Sequence, residues 1–337
     1  MNIAFIGFKH RHTGEIYQEA MEDPNITVLG AWENTEEGRL LAEGLGLEFN
    51  YPTIQAVLVD PLVDVVCLGG AYGEHGTEAI AALNAGKHVY ADKPICTSLT
   101  ELDEIENLAK EKGLCVGCYL TLRFAAGIRN LREMVADGIL GEIGCINMTA
   151  QHPLLYGSRP MWYFANGMHG GTINDIAIHG VDIVRFITGL GIKNITAART
   201  WNHFAIAEPS FRDCGQFMTE LDNGAGFIAD VSYAAPASCG FSLETYWRLT
   251  FWGTKGVAEY KMKGYGSVGI DDDSAVLLQV ALDGDQGLSP TMTLKSYNVT
   301  GLGEFMREIN GDHDLLIDTH EVIRTSRDVL LIQAAAN

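Results

Sequence analysis

The sequence predicts an α/β protein in two parts: a doubly wound parallel-sheet domain over residues 1–122, then an α+β domain over residues 123–337 with a mainly antiparallel sheet. Three observations lead there. Up to about residue 120, short apolar runs alternate with amphipathic stretches, as in parallel strands joined by covering helices. Beyond Arg123 long strand-like segments are parted by turns such as Asp222-Asn223-Gly224, which is how hairpins read. At 337 residues the chain is long for one domain and sufficient for two cores.

The elements follow in order. Strands are expected at 2 to 7, 27 to 33, 64 to 68, 87 to 91 and 114 to 118, with helices near 13 to 22, 35 to 45, 76 to 85 and 100 to 112 between them. Gly46, Gly86 and Gly113 stand just past three of these helices, where a left-handed cap is needed. In the second part a helix is expected near 124 to 137, a strand near 143 to 150, an irregular stretch to 169 and a helix from 171 to 188. Long strands near 193 to 203, 214 to 222, 225 to 234 and 246 to 261 come next, and helical periodicity returns from Leu302.

Composition excludes several classes. The formal charge is 23 − 43 = −20, which repels nucleic acid and anionic membrane surfaces, so neither is expected as a partner. No apolar run reaches the length of a membrane span. The opening Met1-Asn2-Ile3-Ala4-Phe5-Ile6-Gly7 reads as a buried strand rather than a leader, and a cytoplasmic location is expected. Seven cysteines, mostly in apolar runs, suit reduced core thiols, and Cys115-x-x-Cys118 has no second pair to complete a zinc site.

In open parallel sheets ligands bind beyond the carboxyl ends of the strands, so the residues just after each strand are the first candidates. After the first strand comes Gly7-Phe8-Lys9-His10-Arg11-His12-Thr13-Gly14, where a basic cluster replaces the glycines of a nucleotide-binding turn. Lys9, His10 and Arg11, with the helix start near Thr13, are expected to hold phosphate; a solvated basic turn is the plainer alternative. Glu33 closes the second strand at a distance suited to an adenosine ribose. No Lys or Arg lies between Asn34 and Gly38, so NAD rather than NADP is the expected cofactor. Gly70, Ala71 and His75 follow the strand at 64 to 68, and Asp92-Lys93-Pro94 follows the strand at 87 to 91.

In the second part, the helix opening at Gly170-Gly171 places Asp175 and His179 four residues apart on one face, where both can reach one substrate. The pair could instead be structural, or could ligate a metal, but no third and fourth ligand are visible and no metal is assigned. Substrate contacts are expected from the irregular stretch, with His152, Arg159, Trp162 and Tyr163 as candidates for a sugar or polyol; the two aromatics suit packing equally well.

The strand end "ADKP", preceded by "AALNAGKHVY", and the helix "GGTINDIAIHGVDIVRF" together resemble the Gfo/Idh/MocA oxidoreductases, whose usual signatures are Glu-Lys-Pro and a Gly-Gly helix start leading to Asp-x-x-x-His. The likeness extends through "TSLTELDEIENLAKEKG" and "YWRLTFWGTKGVAEY". It implies an N-terminal Rossmann domain for NAD(P) and a C-terminal domain whose open sheet often mediates dimers or tetramers. Carried over, Lys93 matches the lysine that holds the reacting hydroxyl, Asp175 the acid that orients substrate, and His179 the general acid/base. It also implies a cis Lys93–Pro94 bond. The sequence departs from the family at Asp92, where Glu is usual, and at Lys9 and His12, which stand where glycines are usual. Some relatives carry His-x-His here, which would turn His10 or His12 toward substrate. The expected activity is hydride transfer between nicotinamide and a secondary alcohol or carbonyl of a sugar or inositol-like polyol. Alternatives are an enzyme that retains NAD for elimination or glycoside cleavage, and a non-catalytic sensor or scaffold.

Overall fold

A computed structural model describes residues 1–243, 247–262, 276–287 and 299–336. The chain forms two compact units that exchange segments: Met1–Leu120 with Pro160–Gly170 and Val299–Arg327, and Thr121–Arg159 with Gly171–Asn298 and Asp328–Asn337.

In the first unit β1 (Asn2–Ile6), β2 (Thr27–Trp32), β3 (Val65–Leu68), β4 (His88–Ala91) and β5 (Val116–Cys118) form a parallel sheet in the order β2-β1-β3-β4-β5. The order reverses beside β1, which puts the ligand crevice at the ends of β1 and β3. The strands are connected through α1 (His12–Glu22), α2 (Glu36–Leu41), α3 (Ile54–Val59), α4 (Tyr72–Asn84) and α5 (Leu99–Lys112). Ser98 caps α5 by accepting from the Glu101 amide, and Gly113 closes it at φ 64°, a left-handed conformation that disfavours a Cβ. Ile3, Phe5, Val65, Cys67 and Tyr90 build the core together with Leu302, Phe305 and Met306 from near the end of the chain. The Ile, Val, Leu, Phe and Met side chains among them each contribute roughly 1.5–3 kcal/mol of burial.

The second unit contains α6 (Ala126–Ala136), β6 (Ile143–Pro153), α7 (Ile178–Thr188), β7 (Ile192–Trp201), β8 (Cys214–Leu221), β9 (Gly226–Ala235), β10 (Trp247–Gly253), β11 (Gly256–Met262) and β12 (Val276–Leu282). Its sheet runs β12-β11-β10-β6-β9-β8-β7 and is antiparallel except for the β6 and β9 pair. The Arg123 guanidinium lies against Asp182 in the interior, with Nε 3.1 Å from Oδ2, and packs over Phe186. Near the chain end are α8 (Gly301–Ile309) and α9 (Thr319–Ala335).

The expected strand at 246 to 261 is two strands: the chain reverses at Thr254-Lys255, between Gly253 and Gly256, and Trp247 pairs with Met262. Its first residue, Tyr246, lies outside the described residues. The helix expected from 171 to 188 begins as a π-helical turn, Ile173–Ala177, before α7. Helix α3 and strand β12 were not expected from the sequence. All seven cysteines are free thiols. Among the described residues no helix is long and apolar enough to cross a membrane.

Candidate functional site

The first unit presents the end of β1 as a tightly anchored turn. Gly7 has φ 82°, and a Cβ there would stand 2.6 Å from the Gly70 nitrogen, so the two strand ends touch backbone to backbone. The Lys9 amide donates to Gly69 O at 2.7 Å, and Trp162 Nε1 donates to Lys9 O at 3.2 Å. Lys9 Nζ is bound to both carboxylate oxygens of Glu74, at 3.0 and 2.8 Å. The cation expected to hold phosphate therefore already has an acidic partner. Arg11 is exposed and serves as N-cap of α1 without a side-chain cap bond.

Glu33 is already engaged within the fold. It is 1% exposed; Oε2 accepts from the Phe8 amide at 2.8 Å, and Oε1 accepts from the amide and hydroxyl of Thr35, both at 2.7 Å. The carboxylate turns inward to tie the β1 turn to the end of β2. The basic residue the sequence window stopped short of is Arg39, one position beyond Gly38: its guanidinium reaches Glu33 O at 2.7 Å and lies over Phe49. Glu33, Asn34, Arg39, Asn50 and Tyr51 help line a cavity of about 300 Å³.

Asp92 is the hub at the end of β4. It is unexposed; Oδ2 lies 2.6 Å from His10 Nδ1, and Oδ1 lies 2.9 Å from His12 Nδ1 and 2.7 Å from the Lys93 amide. Burial alone would raise its carboxyl, yet His12 and His10 hold it well below the usual carboxylate range. Burial is also the main cause that lowers His10, to about 3 against the pull of Asp92, so that ring is neutral. His10 and His12 thus both pair with Asp92. Lys93 precedes a cis bond to Pro94, as expected, and its ammonium stands 3.3 Å from Tyr72 Oη.

His75 lies on α4, inside the first unit. It is unexposed, with Nδ1 2.9 Å from Pro94 O and Nε2 3.1 Å from Gly70 O. Burial lowers its pKa, against the opposing pull of the Pro94 and Gly70 carbonyls. Its position ties the Pro94 loop to Gly70, while Ala71 caps α4 with its amide bound to Glu74 Oε2 at 2.9 Å. Trp162 and Tyr163 pack in this unit on Tyr72, with centroids 4.9 and 5.8 Å away, and Tyr163 Oη lies 3.2 Å from Tyr72 Oη.

The second unit gathers a separate set. The Tyr233 hydroxyl on β9 donates to Asp175 Oδ2, and the ring of His179 meets Trp247 on β10 edge-on at 5.6 Å. His152 bridges these, 6.0 Å from Tyr233 and 5.9 Å from Trp247. Arg159 lies 5.1 Å over the Tyr233 ring while its guanidinium donates to Leu154 O and Pro153 O. Asp175, His179, His152 and Arg159 thus share one cluster, and the sequence reading missed its two central rings. Alternation along β9 marks Tyr233 as inward-facing, yet gives no sign that its hydroxyl meets an acid 58 residues earlier.

Comparison with known proteins settles the ancestry. Residues 1–120 match the oxidoreductase family with NAD-binding Rossmann fold, and residues 128–259 match the Gfo/Idh/MocA C-terminal domain. This chain belongs to the Gfo/Idh/MocA oxidoreductase family. Among its relatives, a myo-inositol 2-dehydrogenase of Thermotoga maritima is 28% identical over 199 residues, 58% of each chain. A 1,5-anhydro-D-fructose reductase of Ensifer adhaerens is 31% identical over 157 residues, 46% of each chain. These alignments span about half the length of the curated relatives. A solved aldose-aldose oxidoreductase from Caulobacter crescentus superposes with a TM-score of 0.80 at 19% identity, covering 100% of this chain and 97% of that one, which shows a shared fold.

The first unit of this Gfo/Idh/MocA chain fits the dinucleotide that the family implies. Gly7 brings strand ends together as a pyrophosphate turn requires, and the Thr13 hydroxyl in the first turn of α1 is buried without a hydrogen-bond partner. The cavity beside β2 supplies Asn34, Arg39 and Tyr51 for the adenosine end.

Proposed function

We propose that the protein is an NAD-dependent oxidoreductase that moves a hydride between nicotinamide and a secondary alcohol or carbonyl carbon of a sugar or inositol-like polyol. What supports this reading most is the placement of Asp175, fixed by Tyr233, one helical turn ahead of His179. Bound nicotinamide supplies the hydride acceptor or donor. His179 holds the proton that leaves the alcohol oxygen and Asp175 orients the substrate hydroxyls; Lys93 is assigned to the reacting oxygen by its match to the family's lysine alone. His152 and Arg159 supply polar contacts suited to ring hydroxyls. The relatives' names, an inositol dehydrogenase and a sugar reductase, agree with this substrate class.

NAD rather than NADP is assigned because no Lys or Arg lies between Asn34 and Gly38 and the Arg39 guanidinium is engaged with Glu33 O. The protein acts in the cytoplasm and assembles as a homodimer or homotetramer through the outer face of the C-terminal sheet, where Met218, Ile228 and Trp252 are 46%, 45% and 49% exposed. The deciding experiment identifies nucleotide released on denaturation, titrates NAD and NADP, then follows nicotinamide absorbance across a panel of sugars and inositols. Tighter binding of NADP would reject the cofactor assignment, and no turnover across the panel would reject the activity.

A further inference from the structure

The first unit holds a cluster that hydride transfer leaves unused. His10 and His12 flank one residue of the turn into α1, Asp92 ends β4, and one donor atom from each lies within 4.8 Å of the others. The two rings stand edge to face with centroids 4.3 Å apart and present Nδ1 to opposite oxygens of the same carboxylate. We infer that His10, His12 and Asp92 form a binding site for one divalent transition ion of the zinc, iron or nickel type.

The donor set decides the class of ion. Two imidazole nitrogens and one carboxylate suit borderline transition ions, whereas magnesium and calcium favour oxygen ligands. Three protein ligands leave at least one position for water or another small donor. The geometry is close to what an ion needs. The imidazole-to-carboxylate separations are 2.6 and 2.9 Å, and ligands held about 2.0–2.1 Å from a tetrahedral centre stand roughly 3.3 Å apart, so the cluster opens by less than about 1 Å.

The ligands sit on firm supports. Asp92 Oδ1 is also held by the Lys93 amide, the His12 ring lies 5.3 Å from Tyr119, and the His10 ring lies 5.7 Å from Tyr72. A nitrogen that coordinates must give up its hydrogen, so each ring bound through Nδ1 carries its hydrogen on Nε2. Access is through His10, whose side chain is 15% exposed while that of Asp92 is fully buried. The Lys93 ammonium is a nearby positive charge that lowers the affinity without removing a ligand.

The test uses full-length, tag-free protein stripped with chelator and titrated with Zn²⁺ alone by calorimetry. Co²⁺ replaces zinc in a second titration read by visible absorption. One ion per chain is expected at micromolar affinity, with Co²⁺ bands showing nitrogen and oxygen ligation. His10→Ala, His12→Ala and Asp92→Asn should each weaken binding by more than about a hundredfold, as loss of a direct ligand should exceed the 10- to 100-fold effect of outer partners. His313→Ala and His320→Ala, on exposed residues, should leave it unchanged. Because Asp92 is buried, His10→Gln at the more accessible position provides the variant whose folding is readily kept. Absence of stoichiometric Zn²⁺ binding by the wild type overturns the inference, and so does equal affinity in folded His10→Gln.

Discussion

Lys9 Nζ lies 2.8 Å from Glu74 Oε2, so the cation that replaces the second glycine of the nucleotide turn is held by an acid on the neighbouring helix. An ammonium shared with a carboxylate binds phosphate less well than a free one. Glu74→Gln should release it and tighten NAD binding, whereas Lys9→Ala should leave Glu74 facing the phosphate and weaken binding by roughly 1–3 kcal/mol. Fluorescence titration with NAD checks both directions. Unchanged affinity in both variants would mean that the pair takes no part in cofactor binding.

Glu78 stands close to the same pair. Burial, with Glu74 adding and Lys9 opposing, pushes its pKa from the ordinary 4.5 up to about 8, and its Oε2 is buried without a hydrogen-bond partner. The folded state therefore keeps a proton that the unfolded chain gives up. Between pH 4.5 and about 8 the unfolded state binds fewer protons, and the stability this group contributes at low pH is lost as pH rises through that window. Glu78→Gln removes the effect. Thermal melts should show little difference from wild type near pH 4, and the variant should gain a few degrees by pH 8.

In the proposed reaction His179→Ala and Lys93→Ala should each lower turnover by roughly two to four orders of magnitude. Tyr233→Phe should cost less, about tenfold, because it removes one hydrogen bond from Asp175 and keeps the ring against His152. Steady-state rates at saturating NAD check all three, with cofactor affinity measured alongside. Near-normal turnover in His179→Ala would take the proton-transfer role from it.

Met218 and Ile228 are direct cross-strand neighbours on the exposed face of the second sheet, and Ile228 is level with Asn147 on β6. Paired Met218→Lys and Ile228→Lys changes place two cations in that row. Light scattering during size-exclusion chromatography should then show a smaller species than the wild type, while a monomeric wild type would refute assembly through this face.

How much was legible varied with the kind of interaction. Parallel strands and their helices announce themselves through local periodicity and capping residues, so β1 to β5 fell close to their expected places. Helix α3 did not, because Ile54-Gln55-Ala56-Val57-Leu58-Val59 is a short apolar run with no visible helical face. Asp175 and His179 were recognisable from spacing and family likeness. The inward turn of Glu33 was not, since it depends on Thr35 and on the Phe8 amide from a different strand end. The Asp92 hub was equally hidden: its partners are 80 and 82 residues away, and a run reading Lys-His-Arg-His suggests charge where burial leaves His10 neutral.

The exchange of segments between the two units bears on how the protein is made. Leu302, Phe305 and Met306 belong to the core of the unit that begins at Met1, so nearly the whole chain must leave the ribosome before that first core can close. The nascent N-terminal sheet waits with Ile3, Phe5 and Tyr90 incompletely covered, a stage at which a chaperone that shields apolar strands would act. A gene fragment ending at residue 120 encodes the strands and lacks these three core side chains, so the nucleotide fold moved as a contiguous cassette should be less stable than it is in the full chain.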